Sequence, residues 1–241
     1  MSGKIRLAVA DGHQQKYGCA FLKSCGIEIA GYDTKSVSRR PASNLDYAEI
    51  KVIRPQDMAG QVANDHFDLA ITGEDWFIDH HHQFPHSPVK KVLNLPFGGV
   101  RVCAVVHNDL GVKTVDDFLA LFDAGRMPFP WIRIAGEYVN IADHFAYTHR
   151  FRRYRVIPTS GSTEAYLPED ADMIIENSQT GRTLVENNLG IIEVLFQSTA
   201  CLIAHAGSLE DPVKKPMITA FADLCRKGIQ KAAEADKEKG A

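Results

Sequence analysis

The sequence predicts an α/β protein of two lobes, each a mostly parallel sheet covered by helices. Three observations carry this. Short apolar runs alternate with amphipathic stretches along nearly the whole chain, the pattern of successive β–α units. Runs such as Asp68–Thr72 and Met173–Ile175 are short and apolar at their centres, as strands buried on both faces are. The alternation then restarts after His107, where Thr114–Ala124 opens a second series of helices and strands. We therefore assign residues 1–99 plus 196–241 to lobe I and 100–195 to lobe II. Long strands near 100–107 and 191–205 are expected to cross between them, and a ligand is expected in a cleft between the lobes, lined by strand ends.

The elements follow in order. Ile5–Ala10 is a strand, and Gln14–Cys25 a helix closed by Gly26, the residue that best takes the left-handed cap. Ile50–Ile53 is a strand, and Pro55–Asn64 a helix with proline at its first position, where no N–H is needed. Asp68–Thr72 leads through Gly73 into a further helix, and strands follow at Val89–Leu95 and Arg101–His107. Gly98 and Gly99 permit a tight bend between the lobes. In lobe II, Thr114 is the expected N-cap of the helix to Ala124. Ile132–Ala135, Tyr154–Pro158, Met173–Ile175 and Ile191–Leu195 read as strands, and Glu137–His149 as a helix. Asp211–Lys237 is an amphipathic helix with a charged end. No internal repeat is visible.

Composition excludes several classes. The 241 residues carry a formal net charge of −3, which gives no general attraction to nucleic acid or to an anionic membrane. The run Arg150–Arg155 interleaves arginine with aromatics, as some nucleic-acid contacts do, but also reads as a helix end leading into a strand. There is no secretory leader and no apolar stretch of membrane-spanning length. The five cysteines include no Cys-x-x-Cys pair and read as reduced thiols of a cytoplasmic protein. The cluster Asp79–His86 holds four histidines. Adjacent residues cannot all face one ion, so His80–His82 read as a solvated loop and no metal site is expected from the protein alone.

The most informative stretch is Ala171–Leu184. It reads as a buried strand, a carboxylate at its end (Glu176), a polar loop (Asn177, Ser178, Gln179, Thr180, Gly181, Arg182, Thr183) and a helix opening at Leu184. That order suits a sugar phosphate. Amides of such a loop face an anion, glycine allows close approach, and an acid can accept from ribose hydroxyls. The same residues also fit an ordinary turn in which Ser178 or Thr180 caps the helix. Ser160, Gly161 and Ser162 stand between a strand and a helix and are read either as a second anion-facing turn or as a capping loop.

Taken together the chain resembles the ATP phosphoribosyltransferase family, the enzymes of the first step of histidine biosynthesis. The resemblance runs from about Ile5 to His205. It is carried by Arg133-Ile-Ala-Gly-Glu-Tyr138, Ser160-Gly-Ser-Thr-Glu164, Ala171–Leu184, Ile192-Glu-Val194 and Cys201-Leu-Ile-Ala204. Upstream, Asp68-Leu-Ala-Ile-Thr-Gly-Glu-Asp75 and Leu95-Pro-Phe-Gly98 fit as well. It implies a two-lobed α/β fold like that of periplasmic binding proteins (type II). It also implies transfer from 5-phosphoribosyl pyrophosphate (PRPP), with Mg²⁺, to a ring nitrogen of ATP or a related heteroaromatic acceptor. In this reading Glu176 is catalytic and residues 177–183 hold the phosphoribosyl group. Asp11, Gly12, His13, Arg54, Thr72, Gly73, Asp75, Ser160, Gly161 and Ser162 then lie on the acceptor or pyrophosphate side. The chain ends after its last helix, as in the family's short form, which implies a homo-oligomer and a separate regulatory subunit.

The chain also departs from the family. Where the family's first strand usually ends in Pro-Lys-Gly-Arg, this chain has Ala10-Asp11-Gly12-His13. Each lost charge-assisted contact to phosphate costs roughly 1.5–3 kcal/mol, and Asp11 is expected to add repulsion. Glu176 replaces the family's usual Asp, and Tyr138-Val139 its Tyr-Pro. The change at residues 11 and 13 keeps open a less anionic acceptor, or a non-catalytic module that binds a small ligand or regulates.

Overall fold

The computed structural model describes residues 3–33 and 38–239. The chain divides into two compact units, Met1–Gly98 with Thr199–Ala241, and Gly99–Ser198. In unit 1 the sheet contains β1 (Ile5–Ala10), β2 (Ala48–Ile53), β3 (Leu69–Gly73), β4 (Val89–Asn94) and the late strand β10 (Ala200–His205), in the order β2-β1-β3-β10-β4. β1 runs parallel to β2 and to β3, and β10 lies antiparallel between β3 and β4. Successive side chains of a strand point to opposite faces, and both faces are covered. Leu7 and Val9 pack with Leu22 and Phe221, whereas Ala8 and Ala70 pack with Met58 and Val62. Burying each of these larger side chains contributes roughly 1.5–3 kcal/mol. The covering helices are α1 (His13–Ser24), α2 (Pro55–Ala63), α3 (Glu74–Gln83), α7 (Ala206–Glu210) and α8 (Lys214–Lys239). At the charged end expected for the helix Asp211–Lys237, residues 235–237 lie outside those whose side chains are described.

Unit 2 repeats the plan. Its strands are β5 (Val100–His107), β6 (Ile132–Gly136), β7 (Tyr154–Pro158), β8 (Met173–Ser178) and β9 (Leu189–Ser198), in the order β7-β6-β8-β5-β9. β6 is parallel to β7 and β8, and β5 lies antiparallel between β8 and β9. Its helices are α4 (Val115–Asp123), α5 (Val139–Thr148) and α6 (Arg182–Glu186). Thr114 caps α4 in a reciprocal capping box with Asp117.

Each sheet is tied at its base by the same device. In unit 1, Asp68 Oδ2 accepts from the Arg6 N–H at 2.8 Å and from Nε at 3.0 Å, and Oδ1 from Nη2 at 3.0 Å. In unit 2, Asp172 Oδ2 accepts from the Arg133 N–H at 2.8 Å and from Nε at 3.2 Å, and Oδ1 from Nη2 at 2.9 Å. This is an internal repeat that the sequence reading missed. It is written in Ile5-Arg6-Leu7-Ala8 with Asp68, and in Ile132-Arg133-Ile134-Ala135 with Asp172. The partners are 62 residues apart in one unit and 39 in the other, so no fixed period betrays them.

Two other expectations are corrected. The long strand 191–205 is two strands, β9 in unit 2 and β10 in unit 1. Between them the Thr199 carbonyl accepts from the Glu74 N–H, because one backbone cannot serve the ladders of two sheets at once. His80, His81 and His82 form the last turn of α3 and not a loop. The basic run is a helix end: Arg150 is left-handed at φ 58°, and β7 begins at Tyr154. Among the described residues no helix is long and apolar enough to cross a membrane.

Asp68 is fully buried and also accepts from Ser208 Oγ at 2.7 Å and Lys214 Nζ at 2.8 Å. Burial would raise its pKa, but the hydrogen bonds from Arg6, Lys214 and Ser208 outweigh it and hold the group well below its ordinary 3.8. The stabilisation is thus present above that value and is lost as pH falls through the depressed one. Asp68→Asn should lower the unfolding free energy by about 3 kcal/mol at pH 7, because it takes away the buried carboxylate that the half-buried Arg6 and Lys214 share. In urea denaturation the gap from the parent protein should narrow at pH 3 and below.

Candidate functional site

Because β6, β7 and β8 are parallel, their carboxyl ends open onto one rim of unit 2. The loops leaving that rim carry Glu137 and Tyr138, Thr159–Glu164, and the residues after β8. β8 runs on through Glu176, Asn177 and Ser178, and α6 opens at Arg182. The expected loop 177–183 therefore shrinks to 179–181, and the helix does not wait for Leu184. The reason is pairing: Asn177 and Ser178 stand opposite Val102 and Arg101 of the antiparallel β5.

Strand alternation places Ile174, Glu176 and Ser178 on one face and Asn177 on the other. Glu176 Oε1 accepts from the Asn177 N–H at 2.9 Å, and Thr163 donates a further hydrogen bond to this carboxylate. Thr163 is itself held to Thr159, with their hydroxyls 2.8 Å apart. Burial pushes the Glu176 pKa from 4.5 up to about 7, against those two hydrogen bonds, and the fields of Glu137 and Glu164 add to the rise. On the opposite face Asn177 Nδ2 donates to the Tyr138 hydroxyl at 3.0 Å, which fixes the strand end to the start of α5.

The turn after β8 is short. Gly181 is left-handed at φ 78° and provides no side-chain cap to α6, so a β-carbon there would be strained. Thr180 Oγ1 accepts from the Arg182 N–H only at a long 3.4 Å; the capping alternative is realised weakly and by Thr180 alone. Gln179, Thr180 and Thr183 are exposed. Arg182 is turned to its own helix, paired with Glu186 at 2.7 Å. The sequence reading missed Arg101. Its Nη2 lies 4.0 Å from where a Gly181 β-carbon would sit, as does Ser178 Oγ, so a guanidinium stands beside the turn. Nothing in a parallel-sheet prediction would put the amino end of β5 at this rim; the antiparallel insertion does.

Ser160, Gly161 and Ser162 lie in unit 2 with Glu176, and not in the unit that holds the other residues grouped with them. Gly161 and Ser162 are left-handed in succession, at φ 89° and 49°. Ser162 precedes a 3-10 turn at Thr163–Tyr166 but makes no side-chain cap to it, so the capping alternative does not hold there.

The corresponding rim of unit 1 is formed by the ends of β1, β2 and β3. Asp11 is not the bare repelling carboxylate that the sequence suggested. Its Oδ2 accepts from Arg39 Nη1 at 2.6 Å, and Arg54 Nε stands 3.6 Å from Oδ1. Gly12 is at φ 71°, and a β-carbon there would come within 3.3 Å of Arg54 Nη1. His13 is exposed as the first residue of α1, edge-on to Tyr17 at 5.5 Å. Thr72 Oγ1 donates to the Pro55 carbonyl at 2.9 Å, which fastens the end of β3 to α2. Gly73 is tightly constrained, since a β-carbon would fall 2.0 Å from Asp75 Oδ1. Asp75 is buried and accepts from the Trp76 N–H at 2.9 Å. Among the described residues no three His, Cys, Asp or Glu side chains gather as a metal site. In α3, His80 Nε2 is 2.8 Å from Ser87 Oγ, and His81 Nδ1 is 3.1 Å from the Phe77 carbonyl.

Comparison with known proteins shows the family. A model of the family described as ATP phosphoribosyltransferase matches residues 54–226. The ATP phosphoribosyltransferase of Prosthecochloris aestuarii is 32% identical over 230 residues, covering 93% of this chain and 71% of that one. That of Pelotomaculum thermopropionicum is 27% identical over 235 residues, covering 95% and 74%. Among solved structures, the ATP phosphoribosyl transferase (HisG:HisZ) complex from Thermotoga maritima superposes with a TM-score of 0.73 at 19% identity, covering 94% of this chain and 99% of that one. The alkanesulfonate-binding protein SsuA from Xanthomonas axonopodis pv. citri superposes at 0.56 with 8% identity, covering 94% and 73%, a likeness of fold with periplasmic binding proteins. The chain belongs to the ATP phosphoribosyltransferase family.

Proposed function

We propose that this chain transfers the 5-phosphoribosyl group of PRPP to a ring nitrogen of ATP and releases pyrophosphate, the first step of histidine biosynthesis. The observation that carries the reading is the end of β8, where Glu176, Ser178, Thr180, Gly181 and Thr183 follow one another within a chain of this family. Glu176 accepts from the ribose hydroxyls. Once ionised, it offsets the positive charge that grows on the sugar ring as the bond from C1 to pyrophosphate breaks. Its burial makes that charge count for more than it would in water. Gly181 allows the 5′-phosphate close to the backbone, Thr180 and Thr183 donate their hydroxyls, and Arg101 supplies a guanidinium beside the turn. The acceptor nitrogen needs alignment with C1 more than a strong base.

Held by the donor's phosphates, Mg²⁺ would neutralise charge on the leaving pyrophosphate. Such an ion takes much of its coordination from substrate phosphates and water. ATP is favoured over a less anionic acceptor because Arg39 and Arg54 outnumber the charge of Asp11. The Thermotoga structure is a complex of two kinds of chain; by extension this chain associates with copies of itself and with a regulatory subunit, in the cytoplasm.

The deciding experiment is pyrophosphate release from PRPP, with ATP and with smaller heteroaromatic acceptors. Release with ATP supports the reading. Tight PRPP binding without release from any acceptor would make the chain a binding module instead. Thr183→Val should raise the KM for PRPP about tenfold, the loss of one hydrogen bond to a charged group, with an unchanged thermal unfolding midpoint.

Glu176 generates a pH prediction. The ionised form is required, so kcat/KM should fall on the acid side with a midpoint near 7, and Glu176→Gln should abolish that limb while lowering the plateau. Stability moves the other way. A folded-state pKa raised above 4.5 means that the protonated side chain is the one the fold prefers, so stability is lost as pH rises through about 7. Glu176→Gln should raise the unfolding midpoint at pH 8 and leave it unchanged at pH 4.

A further inference from the structure

We infer that Asp11 is a positioning residue, which holds Arg39 and Arg54 as a pair that grips a diphosphate group at the rim of unit 1. The inference rests on the proposed reaction for the ligand's identity and on the geometry of unit 1 for the site. Asp11 follows β1, and its N–H donates to the Ile53 carbonyl at 3.0 Å, so its backbone is fixed to the end of β2. Its side chain is 10% exposed, whereas those of Arg39 and Arg54 are 64% and 62% exposed. A buried carboxylate thus carries two guanidinium groups out toward solvent. Asp11 Oδ2 takes the Arg39 hydrogen bond, while Oδ1 is buried without any hydrogen bond, 3.6 Å from Arg54 Nε.

Arg39 is held from two more directions. Its Nη1 also reaches the Val52 carbonyl at 3.3 Å, and its own carbonyl accepts from the Val52 N–H at 3.1 Å. Arg54 is packed over the glycine at residue 12, where any β-carbon would come within 3.3 Å of its Nη1. One carboxylate facing two guanidinium groups leaves a net positive charge. Each guanidinium has five donors in a planar fork matched to phosphate oxygens, and Asp11 occupies few of them. An anion with oxygens on two linked phosphorus atoms can bridge both forks, since both stand against the same carboxylate. The backbone amides that open α1 have no side-chain cap at Gly12 and add to the same attraction.

This assignment makes a prediction opposite in sign to a simple charge argument. If Asp11 merely cancels positive charge, its removal should tighten the binding of anions. If it positions the arginines, its removal should weaken it. The experiment is calorimetric titration of the whole chain with inorganic pyrophosphate, with ribose 5-phosphate as the control ligand. Asp11→Asn should bind pyrophosphate about tenfold more weakly and ribose 5-phosphate as the parent chain does. Asp11→Glu should restore part of the loss. Arg39→Gln, at an exposed side chain, should show a similar loss, and the double variant Asp11→Asn with Arg39→Gln should be no weaker than the weaker single variant. Should Asp11→Asn fail to fold, Asp11→Glu decides the matter: it keeps the charge, so weaker pyrophosphate binding than the parent's supports positioning and equal binding overturns it. Equal or tighter pyrophosphate binding by Asp11→Asn overturns the inference, as does a parent chain that binds no pyrophosphate. The titration needs no turnover, so a chain inactive with PRPP and ATP would sink the proposed reaction and leave this result to be read separately.

Discussion

In each unit an aspartate at the entrance of the middle strand is locked to an arginine on the strand beside it, and the rest of the unit is arranged around that lock. Arg6 with Asp68, and Arg133 with Asp172, each combine a backbone N–H bond with a two-pronged guanidinium contact. Slipping the strand by one residue would break all three bonds at once and turn every side chain to the wrong face. Removing the charges from water is costly, and the several bonds to each carboxylate offset that cost. The fixed register brings the far ends of the parallel strands level, and the loops leaving those ends carry the candidate residues.

The two rims share this construction and differ in charge. In unit 2 the acids Glu137, Glu164 and Glu176 lie close enough for the fields of the first two to act on the third, with Arg101 beside the turn. A buried carboxylate of raised pKa suits a reaction in which positive charge develops. In unit 1 the single carboxylate of Asp11 is outnumbered by Arg39 and Arg54, which suits an anion.

Much of this was legible in the sequence. Nearly every strand and helix follows from apolar period, from Gly26 and Pro55 as helix boundaries, and from Thr114 as a cap. The order of acid, hydroxyls and glycine at the end of β8 is likewise read from the sequence alone. Other features were hidden for physical reasons. The histidine run was expected in a loop because its polar residues mask a helical turn. The extent of β8 depends on β5, more than 70 residues earlier in the chain, which keeps Asn177 and Ser178 in the ladder.

Local composition and period determined the class of fold, the places where strands end, and the residues at those ends, because each depends on neighbours within a few positions. What stands beside those residues was decided only by tertiary structure. An antiparallel strand brings Arg101 to Gly181, a buried carboxylate gathers Arg39 and Arg54, and Thr163 folds in on Glu176. These are through-space neighbours distant in sequence, and the pKa of Glu176 depends on them more than on the residue type itself.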